Sequence, residues 1–339
     1  MNSLVSEQKG LSFPGALFSP CALRRFSKVT CFATLLLIFM GGLVTSTGSG
    51  LAVPDWPLSY GTLFPPMVGG IVYEHSHRMV AATVGFLVLI LTVWVGLVEK
   101  RRWVRNLSIA ALGAVVCQGI LGGLTVLFFL PKPISIFHAV LAQTFFVLTI
   151  FVAYSQSWER QSRQREAAKS FSSLQAASLT LVVCVYIQLI VGALMRHTAS
   201  GLAIPDFPTM GGSFVPLFNE KMLKLINAWR FEMNLDPVVI GQVVIHFLHR
   251  LQAVIILGVA SYTTYRVFKE AIEDRLIVRS MLLLDSLLVL QITLGAMTIW
   301  SGKGALITSA HVMTGAAVLG MSVLFLLRVF PISLKGLKR

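Results

Sequence analysis

Charge is absent from six stretches of the chain, at 29–54, 79–98, 106–131, 133–158, 170–195 and 304–327. Each is long enough to cross a hydrocarbon core of about 30 Å at about 1.5 Å of rise per helical residue. Two further apolar stretches are interrupted once each: 237–265 contains Arg250, and 280–302 contains Asp285 near one end. Only helices and closed barrels satisfy their own backbone groups in lipid, and runs this long read as helices. The pattern therefore predicts an all-α integral membrane protein with eight transmembrane helices.

Composition agrees. Of 339 residues, 55% are hydrophobic and 12% charged, with a mean hydropathy of +0.79, which leaves too little polar surface for a soluble protein. With the N-terminus inside, 20 of the 28 lysines and arginines fall on one side. They cluster at Arg24, Arg25 and Lys28, at Lys100–Arg105, at Arg160–Lys169, at Arg266–Arg279 and in the C-terminal tail. The positive-inside rule puts both termini in the cytoplasm. The net charge of +14 is then a matter of membrane asymmetry and anionic headgroups rather than of nucleic acid. Residues 1–28 hold no apolar stretch long enough for a secretory signal, and Glu7 with no amphipathic arginine pattern speaks against a mitochondrial presequence. The expected location is a bacterial inner membrane, with the mitochondrial inner membrane as the alternative. Cys21, Cys31, Cys117 and Cys184 lack metal-ligand spacing and read as packing residues.

The chain repeats itself. Gly48-Ser-Gly-Leu-Ala-Val-Pro-Asp-Trp-Pro57 returns as Ala199-Ser-Gly-Leu-Ala-Ile-Pro-Asp-Phe-Pro208, shifted by 151. His77-Arg78 returns as His249-Arg250, shifted by 172; Gln118, Gly122, Thr125 and His138 return as Gln291, Gly295, Thr298 and His311, shifted by 173. Each unit holds four spans, so both share one orientation. Two tandem four-helix bundles related by a pseudo-twofold axis along the membrane normal are expected. The boundaries are a tail at 1–28, a first bundle at 29–158, a linker at 159–169, a second bundle at 170–328 and a tail at 329–339. The second unit has gained 21 residues ahead of its His-Arg pair. Within them, 219–233 places Met222, Leu225, Ile226, Trp229 and Met233 on one helical face, and Lys221, Lys224, Asn227 and Arg230 on the other. A short helix shielding the outer surface is expected there, with a substrate gate as the less favoured role.

His77, His138, His249 and His311 all sit roughly 24–33 Å from the inner interface by helical rise, and all lie on even-numbered spans. A lone histidine in a span is more often a satisfied hydrogen-bonding residue than a ligand; four at matched depth in two repeated pairs reverse that judgement. Facing imidazoles inside a four-helix bundle suit a heme iron clamped from both sides. Gly119, Gly122, Gly123, Gly295 and Ala296 can admit a macrocycle, although small residues serve helix packing equally well. Arg78 and Arg250 can pair with propionates or anchor at headgroups. Glu74, three residues before His77 and on its helical face, has His246 as its counterpart. A carboxylate beside a reacting centre can move protons, so the asymmetry assigns the substrate to the first half and a permanent cofactor to the second.

Gly42-Leu-Val-Thr-Ser-Thr-Gly-Ser-Gly-Leu51, Asp55-Trp-Pro57, Glu74-His-Ser-His-Arg78, His138, His249-Arg250 and His311 together resemble the heme A synthase family from about Val29 to Arg328. That resemblance implies an oxidoreductase acting on a CH group, which hydroxylates one ring methyl of heme O in successive steps to the formyl group of heme A for terminal oxidases. It implies heme b ligated by His249 and His311, with Arg250 at a propionate. It associates His77, His138 and Arg78 with the substrate heme, and makes Glu74 the important acidic residue. Candidate partners are heme O itself, membrane lipid, heme O synthase (protoheme farnesyltransferase), an electron donor and a second copy of the chain. No cysteine lies at 48–73 or 196–245, so the resemblance is to the branch without the loop cysteine pairs. The rival readings are a diheme b-type electron-transfer cytochrome, which leaves Glu74 unexplained, and a transporter, which would carry charges near the midplane.

Overall fold

The computed structural model describes residues 19–165 and 172–330, and every regular element among them is a helix. The order is α1 (Pro20–Ser46), α2 (Ile71–Val98), α3 (Arg102–Leu127), α4 (Lys132–Ser155), α5 (Trp158–Arg165), α6 (Ser172–His197), α7 (Glu220–Glu232), α8 (Ile240–Glu270), α9 (Arg275–Trp300) and α10 (Ala305–Val329). Among the described residues, eight of these, all but α5 and α7, are long and apolar enough to cross a membrane. They are the helices of a multi-pass membrane protein.

Helix ends differ from the ends of the uncharged runs, because charge limits entry into lipid but does not stop a helix. Helix α1 begins at Pro20 rather than near 29: Ser19 Oγ caps the Ala22 N–H at 3.2 Å, and Pro20 supplies a φ suited to the first turn. Helix α2 begins at Ile71, which brings Glu74, His77 and Arg78 onto its first two turns. Helix α5 occupies part of the expected linker at 159–169. The rest of that linker at 166–169, most of the tail at 1–28 and nearly all of 329–339 lie outside the described residues. Asp285 is matched by the Thr264 hydroxyl, which donates to it at 2.9 Å. Cys31 and Cys184 pack against the core as expected, but Cys21 and Cys117 are exposed on the outward faces of their helices.

Helix α1 packs on α2, α2 on α3, α3 on α4, and α4 back on α1. In the same way α6 packs on α8, α8 on α9, α9 on α10, and α10 back on α6. The two sets meet where α1 touches α10, α4 touches α6, and α4 touches α10. Helix α10 is the most enclosed. Its Leu319 and Phe325 are fully buried with Leu174, Leu181, Met281 and Leu284. Glycines permit the closest crossings: a Cβ on Gly42 would stand 3.3 Å from the Ser309 Cα, and one on Gly320 would stand 2.9 Å from Phe146 and Ile150. Outward faces carry Phe32, Phe86, Val93, Ile109 and Val254, apolar and exposed, as a lipid-facing surface requires.

The repeated loops share their construction. After α1 the chain turns through Gly48 at φ +68°, and the Ser49 N–H returns to the Val44 carbonyl at 2.9 Å. After α6 it turns through Ala199 at φ +56°, and the Ser200 N–H returns to Met195 at 2.9 Å. A left-handed residue here closes the helix by satisfying its last carbonyls. Asp55 then accepts the Tyr60 and Gly61 N–H groups at 2.7 and 2.8 Å, and Asp206 accepts those of Gly211 and Gly212 at 2.9 and 3.0 Å.

Helix α7 seals only the second of these loops. Met222 and Trp229 lie over Gly211 and Gly212, and Met222 and Ile226 join Ala203, Ile204, Val238 and Val243 in a small core. Its polar residues do not all face away as helical periodicity predicts. Arg230 is only 6% exposed, donating to the carbonyls of Leu202 and Asp236, and Asn227 pairs with both backbone groups of Val238. Backbone acceptors on either side draw these side chains inward, while Leu225 and Met233 are left exposed.

Candidate functional site

Each of the four histidines rests against a glycine on a neighbouring helix. A Cβ on Gly41 of α1 would stand 3.2 Å from His77 Cε1, and one on Gly122 of α3 would stand 3.5 Å from His138 Cε1. In the second half Gly192 of α6 meets His249 Cε1 at 3.3 Å, and Gly295 of α9 meets His311 Cε1 at 3.2 Å. Gly41 and Gly192 are related by the loop shift of 151, and Gly122 and Gly295 by 173. Glycine in mid-helix weakens the helix by about 0.5–1 kcal/mol, so four such notches mark places where a ring must approach the backbone. The expectation that glycines admit a macrocycle takes a different form here. Gly122 and Gly295 admit imidazoles, Gly123 admits the Trp56 ring at 2.7 Å, and Gly119 is exposed with nothing within 4 Å.

Glutamines occupy the same layer. Gln118 donates to the His138 carbonyl at 2.8 Å, and Gln188 donates to the His249 carbonyl at 3.0 Å while touching both ring nitrogens at 3.3 Å. His311 Nδ1 lies 3.1 Å from the Gln291 carbonyl, which can only accept; the ring proton therefore sits on Nδ1 and Nε2 keeps its lone pair. Gln188 has no counterpart in the first half, where Leu37 stands at the equivalent position.

His249 and His311 face each other, with ring centroids 6.5 Å apart and planes at 63°. Rings at this spacing are close enough for one metal, bonded at about 2.0 Å to a nitrogen of each, to be shared between them. His77 lies within charge range of His138. Among the described residues, Nδ1 of His77 and His138 and Oε1 of Gln118, Gln143, Gln188 and Gln291 are buried without a hydrogen-bond partner, as are atoms of Arg24 and Ser135. Leaving such atoms bare costs about 1–3 kcal/mol each, and those of the histidines and of Gln118, Gln188 and Gln291 beside them fit a site shaped for a large additional group. Among the described residues no three His, Cys, Asp or Glu side chains converge. An iron gripped by two imidazoles alone would bring its other four ligands with it, as a porphyrin does.

Glu74 and Arg78 form a clamp on the first loop. Glu74, 3% exposed, accepts the Val53 N–H at 2.9 Å through Oε2 and Arg78 at 2.6 Å through Oε1. Arg78 also donates to the carbonyls of Val53, Asp55 and Leu58. The second half has a related clamp without a carboxylate: the Ile204 N–H lies 3.1 Å from His246 Nδ1 and Arg250 Nε lies 3.2 Å from His246 Nε2, of which one imidazole can accept only one, and Arg250 donates to the carbonyls of Ile204, Asp206 and Thr209. Among the described residues each arginine keeps at least one N–H uncommitted, on Nε of Arg78 and on Nη1 of Arg250. Buried His75, present in the Glu74–Arg78 motif but given no role there, ties the first loop through Ser59 Oγ at 2.8 Å. His197, at the end of α6, lies within charge range of His138 across the two halves. Of the unanticipated residues, Gly41 and Gly192 had a signal in the sequence, the same 151 shift that relates the loops. His75, His197 and Gln188 break the repeat and had none.

In the loops, the Gly61 N–H and then the Tyr60 N–H hold the Asp55 carboxyl below its usual range. Burial pushes Asp206 upward, but the Gly212 and Gly211 N–H groups outweigh it and its pKa is also lowered.

Comparison with known proteins places these residues in context. The COX15-CtaA family model, described as cytochrome oxidase assembly protein, matches residues 24–69 and 70–323. A Bacillus licheniformis protein named heme A synthase is 32% identical over 199 residues, 55% of this chain and 63% of its own length. Proteins of the same name from Halalkalibacterium halodurans and Lysinibacillus sphaericus are 24% and 26% identical over 86% and 88% of this chain, and 92% of each relative. The chain thus spans just under two thirds of the Bacillus licheniformis relative and nearly all of the other two.

Proposed function

Because the chain belongs to the COX15-CtaA family of cytochrome oxidase assembly proteins, we propose that it is a heme A synthase, oxidising a methyl group of heme O to the formyl group of heme A. The observation that carries this reading is the His249–His311 pair at 6.5 Å, repeated in chain order by His77 and His138. His249 and His311 are the residues that would hold a resident heme b, and His77 and His138 those that would receive the substrate heme. A bis-imidazole heme b supplies one-electron transfer. Gln291 fixes the His311 tautomer, and the four glycine notches set how far each ring can retreat.

The helix contacts support two four-helix bundles related by a pseudo-twofold axis. Exchanging α1, α2, α3 and α4 with α6, α8, α9 and α10 turns the α1–α10 contact into the α6–α4 contact and leaves α4–α10 unchanged. The bundles then correspond to 29–158 and 170–328. The distribution of cations supports cytoplasmic termini, and the bacterial relatives support a bacterial inner membrane.

Glu74 carries the proton chemistry of the first half. Arg78 engages Oε1, and release of the Val53 N–H frees Oε2 as an acceptor. The uncommitted N–H of Arg78 and that of Arg250 are each available to a propionate. Heme O synthase and an electron donor are the partners this chemistry calls for.

One observation favours a second reading, a diheme b-type electron-transfer cytochrome: both Glu74 oxygens are engaged in holding the loop. Glu74→His separates the two, because His246 already stands in this place between the second loop and Arg250. Expressed in a host that makes heme O and lacks this activity, the wild type is expected to yield heme A on extraction and mass analysis. Glu74→His is expected to fold, keep heme b and make none. Heme A at the wild-type level from Glu74→His would leave the carboxylate only its structural task; heme b alone from the wild type would favour the cytochrome.

A further inference from the structure

The two halves differ at the loop ends of the helices that surround their histidines. In the first half, Thr45 on α1 bonds within its own helix at 3.0 Å. Leu130 occupies the α3–α4 bend at φ +58°, its N–H on Thr125 at 2.7 Å and its side chain 3.5 Å from the Cβ position of Gly50. The equivalent positions in the second half are Arg196 and Lys303. Lys303 repeats the bend of Leu130 at φ +66°, its N–H on Thr298 at 2.8 Å and its Cδ 3.6 Å from the Cβ position of Gly201. Its stem therefore takes the course of Leu130, but it ends in an ammonium.

Arg196 stands one turn of α6 beyond Gly192, the notch that seats His249, and lies within charge range of His311. Its Nη2 donates to the Gly42 carbonyl at 3.0 Å and to Ser46 Oγ at 2.6 Å, both uncharged. Burial first, and then the positive charges of Arg196 and Arg230, lower the pKa of Lys303. Among the described residues neither Arg196 nor Lys303 has a carboxylate partner. Cations gathered at low dielectric repel one another, and an anion placed between them relieves the repulsion.

We propose that Arg196 and Lys303 form a carboxylate-binding site for the propionates of the second-half heme, a site that the first half does not have. The inference rests on the assignment of heme b to His249 and His311. Arg250 commits three of its five N–H groups to loop carbonyls, whereas two propionates present four oxygens. Arg196 and Lys303 add charge where the macrocycle edge nears the loops, which tightens retention and favours the ferrous state. Thr45 and Leu130 leave the first half without this grip, as suits a heme that must leave after reaction.

The test uses full-length protein purified with heme b, and reads heme transfer to excess apomyoglobin together with the heme midpoint potential. Arg196→Gln and Lys303→Leu are each expected to speed heme loss about tenfold and to lower the potential, with the low-spin spectrum retained. Lys303→Leu installs the residue that the first half uses at the same bend, so its fold is secure. Arg196→Lys is expected to recover most of the effect. Ser46→Ala, which removes one of the two bonds from Arg196 to α1 but keeps the charge, is expected to leave the potential unmoved. Unchanged heme loss and potential in both charge-removing variants would overturn the proposal, as would a Ser46→Ala protein that behaves like Arg196→Gln. A spectrum indifferent to His249→Ala and His311→Ala would instead remove the heme assignment itself, a result obtained before any cation is changed.

Discussion

Gly295→Ala tests whether the glycine notches set the position of the ligand rings. The new Cβ would stand 3.2 Å from His311 Cε1, 3.7 Å from Nδ1 and 4.0 Å from Nε2. Carbon atoms in contact are most comfortable at about 3.5–4.0 Å, so the imidazole must withdraw by a few tenths of an ångström. It is not free to do so, since Nδ1 is held by the Gln291 carbonyl at 3.1 Å. Overpacking of this kind costs about 1–3 kcal/mol, against about 0.5–1 kcal/mol returned by replacing a mid-helix glycine. Where bound heme demands the ring in its present place, the net loss falls on heme affinity, a factor of about ten at 1.4 kcal/mol. Gly119→Ala is the control, a helical glycine with nothing within 4 Å. Pyridine hemochrome stoichiometry and transfer to apomyoglobin measure both. Gly295→Ala is expected to hold less heme b and to release it faster, while Gly119→Ala matches the wild type. Equal heme content and release in the two variants would refute the reasoning, because the notch would then be incidental to the ligand.

Two further outcomes are expected. Asp55 has a lowered pKa, so its ionised form stabilises the first loop above about pH 4 and that contribution disappears as pH falls through the depressed value. The difference in thermal midpoint between wild type and Asp55→Asn should be flat from pH 7 to about 5 and shrink below about 4; a difference that grows on acidification would reverse the sign. Cys21 is exposed on the first turn of α1, and Cys117 is exposed in the middle of α3. A membrane-impermeant maleimide should therefore label Cys21 in inverted vesicles only and Cys117 in neither orientation, and labelling of Cys21 in right-side-out vesicles would invert the topology.

The eight spans were legible because lipid excludes charge, and an uncharged run is a direct record of that exclusion. Their ends were less so: Arg24, Arg25 and Lys28 interrupt the apolar pattern yet ride on α1, where a serine cap and a proline decide the start. The histidine pairs were legible as repeats, since two copies of a spacing carry information that one does not. What escaped was whatever depends on backbone acceptors. Periodicity put Arg230 on the polar face of α7, but the carbonyls of Leu202 and Asp236 pull it into the interior. Glu74 could be placed on the face of His77 from its spacing, yet nothing in its spacing reveals the Val53 N–H 21 residues earlier that binds it. Loop-to-helix hydrogen bonds leave no periodic trace.

Divergence between the copies near the histidines falls mostly on the second half. Leu37, Thr45 and Leu130 of the first half stand where the second has Gln188, Arg196 and Lys303. The second half thus gains an amide against His249 and two cations beyond the histidine layer. It also gains α7, which lies over Gly211 and Gly212, whereas the corresponding first loop leaves Tyr60 and Phe64 exposed, the latter by 89%. These changes add contacts and cover to the second half, while His75 on Ser59 is a contact that only the first loop has. A resident group must be held through many turnovers, whereas a substrate must enter and leave, and the same bis-histidine frame serves both only if the grip is strengthened on one side alone. Glu74 accepts from both the Val53 N–H and Arg78, whereas His246 can accept only one of the two corresponding bonds, so the carboxylate holds its loop more fully than an imidazole does and also offers the first half the one acidic group that the proposed chemistry uses.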